Sequence, residues 1–299
     1  MWDKRSTLND WRGCEPQARH QGSRRPLHLG HHEAEPILDT VVNMNADDQE
    51  PVPPLSTRTV VVVATYNEIE NLPRLVTEVF AALSDTDVLV IDDHSPDGTG
   101  DWCDEYQRQN PRLRCIHREG KLGLGSASVC GFRFAIDQGY DIVFTMDADF
   151  SHPPERLPDL LSTLQASEDC EVVVGSRYVD GGGIDGWPWK RRIMSRMVNW
   201  YARLALRIPV RDCSGAFRGY RVSVLKDLPP EAVQSRGYAY LEELLWRLKR
   251  KGCRFQEVPF TFKDRELGKT KINFAEARQA LWTILRLGMR EWTGSNSGG

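Results

Sequence analysis

From residue 58 onward, short apolar runs alternate with longer stretches whose apolar positions recur every three or four residues. Residues 59–64 form an unbroken β-branched and apolar run, the pattern of a strand buried on both faces. Leu72, Leu75, Val76, Val79, Phe80 and Leu83 then fall at helical spacing and predict a helix over 69–83. The alternation continues as strand 88–91, helix 101–109, strand 113–116, helix 125–138, strand 142–146, helix 155–165 and strand 172–174. Short apolar strands separated by amphipathic helices predict an α/β domain, a Rossmann-like, mostly parallel sheet flanked by helices. The second half is less regular. It reads as a basic helix 191–207, a strand 216–222, a helix 238–251 stopped by Gly252, a strand 254–262 and a last helix 274–292.

Residues 1–55 lack a sustained apolar period and are rich in His, Arg, Pro and Asp, so they read as a disordered extension. His20, His28, His31 and His32 lie in it, and without rigid neighbours they read as low-complexity tail rather than metal ligands. Met44 stands just before the organised region and is a candidate start of translation. The expected division is therefore an extension over 1–55, one domain over 56–292 with a first half to 176 and a second from 177, and a flexible tail over 293–299.

Composition narrows the classes. The 299 residues are 40% hydrophobic and 27% charged, ordinary for a globular chain, and the net charge of −3 gives no global signal for nucleic acid. No run approaches the roughly 18 apolar residues of a membrane span, and the polar stretch 1–25 does not read as a secretory signal. Seven scattered cysteines, never in a CxxC pair, read as reduced core thiols of a cytoplasmic protein rather than a zinc site or disulfide framework. The total charge hides an asymmetry: residues 56–176 carry 9 basic and 21 acidic side chains, residues 177–299 carry 24 basic and 12 acidic. An acidic half suits divalent cations and a basic half suits phosphates or an anionic lipid surface.

In open α/β sheets ligands bind beyond the C-terminal strand ends, so the polar residues there carry the candidate chemistry. The first strand ends in ATYNE (64–68), where Tyr66 offers a ring for a nucleobase or a capped turn into the next helix. The second ends in IDDHSPDGT (91–99), with three acids within six residues, of which Asp97 belongs to a Pro-Asp-Gly turn. Gly120–Gly125 opens a helix without being a Walker loop or dinucleotide fingerprint; a close-approach turn with Lys121 near an anion fits it better. The fourth strand runs into Asp147-Ala148-Asp149-Phe150-Ser151, hard oxygen ligands at a strand tip, as Mg²⁺ or Mn²⁺ prefers. Arg177 follows the fifth strand, Arg191 and Ser195 lie one turn apart on the basic helix, and Arg265 and Lys271 flank a glycine loop; arginines here suit phosphate oxygens.

Taken together, ATYNE (64–68), IDDHSPDGT (91–99), REGKLGLGSA (118–127), MDADFSHPPE (146–155), GSRY (175–178), KRRIMS (190–195) and DRELGKTK (264–271) resemble the family 2 glycosyltransferases of the GT-A nucleotide-diphospho-sugar transferase fold. Within them the match is to dolichyl- or polyprenyl-phosphate mannosyltransferases, over about residues 56–290. The resemblance implies a GDP-mannose donor, a dolichyl or polyprenyl phosphate acceptor in a membrane, and Mg²⁺ or Mn²⁺. It implies that Ala64, Tyr66, Glu68, Ile91 and Asp93 line the nucleotide pocket with Asp147, Ala148 and Asp149 beside the diphosphate. Asp149 is then the main metal ligand, with Asp147 and Ser151 near it. Arg177, Arg265 and Lys271 hold donor diphosphate and acceptor phosphate, helped by Arg191 and Ser195. Ala64 departs from the proline usual in relatives. The C-terminal membrane helices of some relatives are missing, which leaves open a membrane-anchored partner subunit or domain and a peripheral place on the cytoplasmic membrane face.

The expected reaction is one inverting displacement by an acceptor phosphate oxygen. A phosphate monoester, with a second pKa of about 6, needs no general base. Transfer to a hydroxyl would need one, and Glu242 and Glu243 are the candidates unless they are exposed helix residues. Another nucleotide sugar such as UDP-glucose stays open, as does the preferred metal. Whether helix 274–292, with Leu281, Ile284, Leu285, Gly288 and Trp292 along one face, lies on a membrane or packs on the domain also stays open.

Overall fold

The computed structural model describes residues 57–293 apart from 168, 229–232, 234, 236, 238 and 265–273. The extension over 1–55, the tail beyond 293, and both Arg265 and Lys271 therefore lie outside the described residues.

The elements in chain order are β1 (Thr59–Thr65), α1 (Leu72–Ala82), β2 (Thr86–Asp92), α2 (Thr99–Gln109), β3 (Leu113–His117), α3 (Leu124–Asp137) and β4 (Ile142–Asp147). A 3-10 turn (Pro154–Arg156) leads into α4 (Leu157–Ala166), followed by β5 (Val172–Ser176), β6 (Gly183–Asp185), α5 (Trp189–Leu206), β7 (Arg218–Arg221) and α6 (Val222–Lys226). α7 (Ala239–Arg250), β8 (Phe255–Pro259), β9 (Thr261–Lys263) and α8 (Phe274–Thr293) complete the described chain.

Seven strands form one sheet in the order β3-β2-β1-β4-β7-β5-β8, and β6 pairs with β9 in a small second sheet. β1, β2, β3 and β4 run parallel, while β7 runs antiparallel to both its neighbours. Alternation across the pleat sends Val60, Val62, Leu89, Ile91, Val143 and Val174 to one face and Val61, Val63, Val88, Val90, Phe144 and Val173 to the other. Helices cover both faces, which is why the strands read as continuous apolar runs.

Two glycines set how closely these layers meet. A Cβ on Gly131 of α3 would lie 2.5 Å from Val62 Cγ1, and one on Gly219 of β7 would lie 2.7 Å from the Phe144 ring. Only hydrogen fits at either place.

The structure corrects two expected elements and adds one. The strand read over 216–222 is the four-residue β7 followed at once by α6, because the chain leaves the ladder at Arg221 and Val222 turns into the core. The strand read over 254–262 is two strands in two sheets. The chain changes partner at Phe260, whose N–H donates to Ser176 O while its carbonyl accepts from Gly183 N–H. β6 has no apolar alternation and escapes a periodicity reading.

Candidate active site at the strand tips

The register places the expected strand-tip residues side by side. Ala64 of β1 is the Cα partner of Ile91 in β2 and of Asp147 in β4, so one row across the sheet holds three of them. One step beyond it the chain turns, and each turn is tied to the next by side chains accepting main-chain N–H bonds. Asn67 N–H donates to Ser95 Oγ (2.9 Å), Glu68 N–H to Thr99 Oγ1 (3.1 Å) and Ile69 N–H to an Asp97 oxygen (3.1 Å). Burial raises the Asp97 pKa somewhat, but the bonds from the Thr99 hydroxyl and the Ile69 and Thr99 N–H groups outweigh it and hold the carboxyl below its usual value. Asp97 is the pin of this turn, as its Pro-Asp-Gly setting predicts. Asp92 serves the same end, accepting from Thr65 Oγ1 and from the N–H and hydroxyl of Ser95.

Asp93 is buried and its oxygens are engaged within the protein. It pairs with Arg118 and accepts the N–H groups of Leu122 (3.1 Å) and Gly123 (3.2 Å). Arg118 also reaches Ser126 Oγ and the Gly123 carbonyl. The glycine loop 120–125 is thereby drawn over the tip of β2, with Lys121 Nζ 4.2 Å from the centre of the Tyr66 ring. Tyr66 itself is exposed, while Glu68 accepts from Asn71 Nδ2 at 2.8 Å.

At the tip of β4 the main-chain N–H of Asp147 donates to His152 Nδ1 at 2.9 Å. His152 is buried and stacks on Phe217 at 5.3 Å and 11° between planes. Burial lowers its pKa below the ordinary value despite Asp147 and Asp149, so the ring is neutral, as an Nδ1 acceptor must be. Between Asp149 and Ser151 the chain passes through Phe150 at φ 59°, left-handed for a bulky residue, with the Arg74 guanidinium 4.7 Å above its ring. This turn brings Ser151 N–H to Asp149 Oδ1 at 3.1 Å.

Ala148 and Asp149 are both buried, and the buried hydroxyl of Ser151 has no hydrogen-bond partner. An orphaned hydroxyl of this kind costs about 1–3 kcal/mol unless a ligand completes it. Asp147, Asp149 and Ser151 offer oxygen only, which fits Mg²⁺ or Mn²⁺. Among the described residues no three His, Cys, Asp or Glu gather as a metal cage, so substrate oxygens would complete the shell.

The basic side of the site is built from β5, α5 and the loop before β7. Arg177 is buried and forms a bidentate pair with Asp212, Nε and Nη2 each at 2.7 Å, while its N–H also donates to Asp212 (3.1 Å). Burial would lower the Arg177 pKa, and Asp212 outweighs that and raises it; the same pairing holds the Asp212 carboxyl down against its own burial. Ser214 and Asn199 tie this loop to α5: Arg177 Nη2 donates to Ser214 Oγ, and Asn199 Oδ1 accepts the N–H groups of Cys213 and Ser214. The three expected phosphate-binding residues of this side are brought together. Arg177 and Arg191 lie 5.7 and 3.9 Å from the Trp187 ring centre, and the Tyr178 hydroxyl meets Ser195 Oγ at 2.7 Å. Arg191 also reaches Asp264 at 3.3 Å, and Trp187 Nε1 is buried without a partner.

Sequence reasoning missed Asp212, His152, Arg118 and Trp187. Asp212-Cys-Ser-Gly carries a turn signature, and a buried arginine at a strand tip demands an acid, but neither says which acid. Glu242 and Glu243, weighed as bases or exposed helix residues, are both buried. Glu243 accepts from Arg247 Nε (2.7 Å) and Ser235 N–H (2.8 Å), so it serves the fold. Glu242 Oε2 has no partner, and burial pushes its pKa up to about 7.

A family model described as "Glycosyl transferase family 2" matches residues 60–229. The chain is 42% identical over 234 residues to a polyprenol monophosphomannose synthase of Mycolicibacterium smegmatis, covering 78% of this chain and 88% of the relative. It is 40% identical over 238 residues to an undecaprenyl-phosphate mannosyltransferase of Micrococcus luteus, covering 79% and 97%. A crystal structure of glucosyl-3-phosphoglycerate synthase from Mycobacterium tuberculosis, with Mn²⁺, UDP and glucosyl-3-phosphoglycerate, superposes with a TM-score of 0.58. Its identity is 20%, over 78% of this chain and 81% of that one, a likeness of fold.

Proposed function

The chain belongs to glycosyl transferase family 2, in the GT-A fold, and from that premise we propose that it transfers mannose from GDP-mannose to a polyprenyl phosphate, giving polyprenyl-phosphate-mannose and GDP. The observation that carries this reading is that the acidic Asp147–Ser151 turn and the Arg177, Arg191 and Ser195 cluster lie close enough for the Asp147 charge to act on Arg177. The two relatives supply the class of sugar and acceptor through their names.

The acceptor phosphate is largely dianionic at neutral pH. One of its oxygens attacks the anomeric carbon as the bond to the diphosphate breaks, and GDP leaves with the electron pair. No proton has to be removed from the nucleophile, which agrees with Glu243 being committed to Arg247. Arg191 and Ser195 bind the acceptor phosphate. Arg177 contributes charge from a guanidinium already fixed by Asp212, so little reorganisation is needed as charge moves. Ala64, Tyr66, Glu68, Ile91 and Asp93 form the nucleotide side, and Arg265 and Lys271 are proposed to hold the diphosphate. Asp149, with Asp147 and Ser151, would hold Mg²⁺ or Mn²⁺, which offsets charge on the leaving diphosphate.

Incubation with labelled GDP-mannose, a polyprenyl phosphate and Mg²⁺ or Mn²⁺ is expected to give a chloroform-soluble labelled product, lost with EDTA and in Asp149→Asn. Product from UDP-glucose alone would reassign the donor. Transfer undiminished by EDTA and in Asp149→Asn would overturn the metal role.

A further inference from the structure

Trp187, Trp189 and Trp200 lie near one another in the chain and divide between inside and outside. Trp189 and Trp200 are each 66% exposed and belong, with Ile193, Met197 and Leu204, to an apolar strip along the outer face of α5. Exposed rings have water to bond with. Trp187 is buried, and its Nε1–H has no hydrogen-bond partner among the described residues.

The turn holds this ring in place from both sides. Gly186 before it has φ 82°, in the left-handed region, and a Cβ there would lie 2.9 Å from Asp264 Cβ. Pro188 after it is the N-cap of α5 and confines Trp187 to extended backbone. The Trp187 carbonyl accepts from Arg192 Nε at 3.1 Å, and Phe262 meets the ring edge-on, 5.0 Å away at 62°.

Packing explains a large ring here but not an indole. A hydrocarbon ring would fill the space without burying an unmet donor, which is a standing cost to the fold. Indole N–H donates and never accepts, so its missing partner is an acceptor. The neighbouring carboxylates are already engaged, Asp212 with Arg177 and Asp264 with Arg191. The surroundings otherwise offer more donors. The guanidinium of Arg191 lies 3.9 Å from the ring centre and that of Arg177 5.7 Å. Arg177 uses Nε and Nη2 on Asp212 and Ser214, and Arg191 uses only Nη1 on Asp264, so each keeps N–H groups that make no bond among the described residues. Two such guanidinium groups beside a buried N–H suit an anion with several acceptor oxygens, a phosphate.

We infer that Trp187 is a further acceptor-binding residue, its Nε1–H donating to an oxygen of the acceptor phosphate beside Arg191. The inference rests on the transfer reaction proposed above and adds a contact to it. The acceptor is assigned rather than the donor because the ring lies nearer Arg191 than Arg177, and because Trp187 leads directly into the helix that carries Arg191 and Ser195.

The test removes the N–H in two ways. Trp187→Phe removes it with part of the ring, and benzothienylalanine at 187 keeps the two-ring shape with sulfur in place of N–H. With either, KM for polyprenyl phosphate should rise about 10-fold, the worth of a hydrogen bond to a charged acceptor. KM for GDP-mannose and kcat should stay unchanged, as for a contact made equally in ground and transition states. The benzothienyl protein should melt no lower than wild type, since the lost donor has no partner in the free protein. A rise in KM for GDP-mannose alone would give the N–H to the donor diphosphate and overturn the assignment. Unchanged kinetics in the benzothienyl protein would overturn it too, as would a lower melting temperature with unchanged kinetics, the mark of a structural role. Thermal shift with geranyl monophosphate separates this from failure of the proposed reaction. Even if the wild type transfers no mannose, this phosphate should raise its melting temperature where geraniol does not, and the benzothienyl protein should lose most of that rise. An equal rise in both proteins would overturn the inference.

Discussion

Glu242 is a fully buried carboxyl with one oxygen unpartnered, and burial lifts its pKa from 4.5 to about 7. The folded state thus holds this proton more tightly than the unfolded chain. The contribution is intact below about pH 4.5, declines as pH rises towards about 7, and is then a constant deficit of roughly 3 kcal/mol. Glu242→Gln should therefore raise the melting temperature at pH 8 and leave it almost unchanged near pH 4.5, a difference that two thermal unfolding series would reveal. Asp212 is the opposite case. Asp212→Ala strands the buried Arg177 guanidinium without its bidentate partner, and loss of one member of a buried pair costs about 3–5 kcal/mol. Denaturant unfolding should show that loss. Arg177 was legible in the sequence because it follows an apolar strand. Asp212 was not, because it lies 35 residues away in a loop. Only the fold brings that loop back beside β5.

At the level of elements, the α3–β1 contact depends on an absent side chain. Gly131→Ala would put a methyl 2.5 Å from Val62 Cγ1, and overpacking of this kind costs about 1–3 kcal/mol. The strand tip at Ala64 is two residues beyond Val62, so the same change should also raise KM for the donor, measurable in the transfer assay. The parallel strands β1 to β5 were legible because burial on both faces leaves an apolar run with no polar interruption. The tips were legible because the polarity returns abruptly there. β7, β8 and β9 were blurred for a physical reason: their paired residues include the exposed Gln256 and Lys263, and Arg218 and Glu257, whose polar groups are answered by specific partners. Arg218 donates to the Leu241 and Cys213 carbonyls, and Glu257 accepts the N–H groups of Arg211 and Asp212. Polar strands of that sort imitate loops. Helix 274–292, whose pattern fits either a bilayer or the domain, divides its faces, with Ile284 buried and Trp282 outside.

Over the whole molecule, one sheet joins strands of the acidic first half, β1 to β4, to β7 and β8 of the basic second half. On the proposed reaction two anionic substrates enter at the strand tips, the basic side draws them and the Asp147–Asp149 turn takes a cation. Raising ionic strength to about 1 M, where the Debye length is ~3 Å, should raise KM for both substrates and leave kcat nearly constant in initial-rate measurements. The apolar strip on α5 has a further consequence at the bench. In lipid-free buffer, molecules will meet strip to strip, and the apparent mass on a sizing column will climb with loading and fall with mild detergent. Preparations will adhere to hydrophobic resins, and yields will depend on which amphiphile is carried through purification.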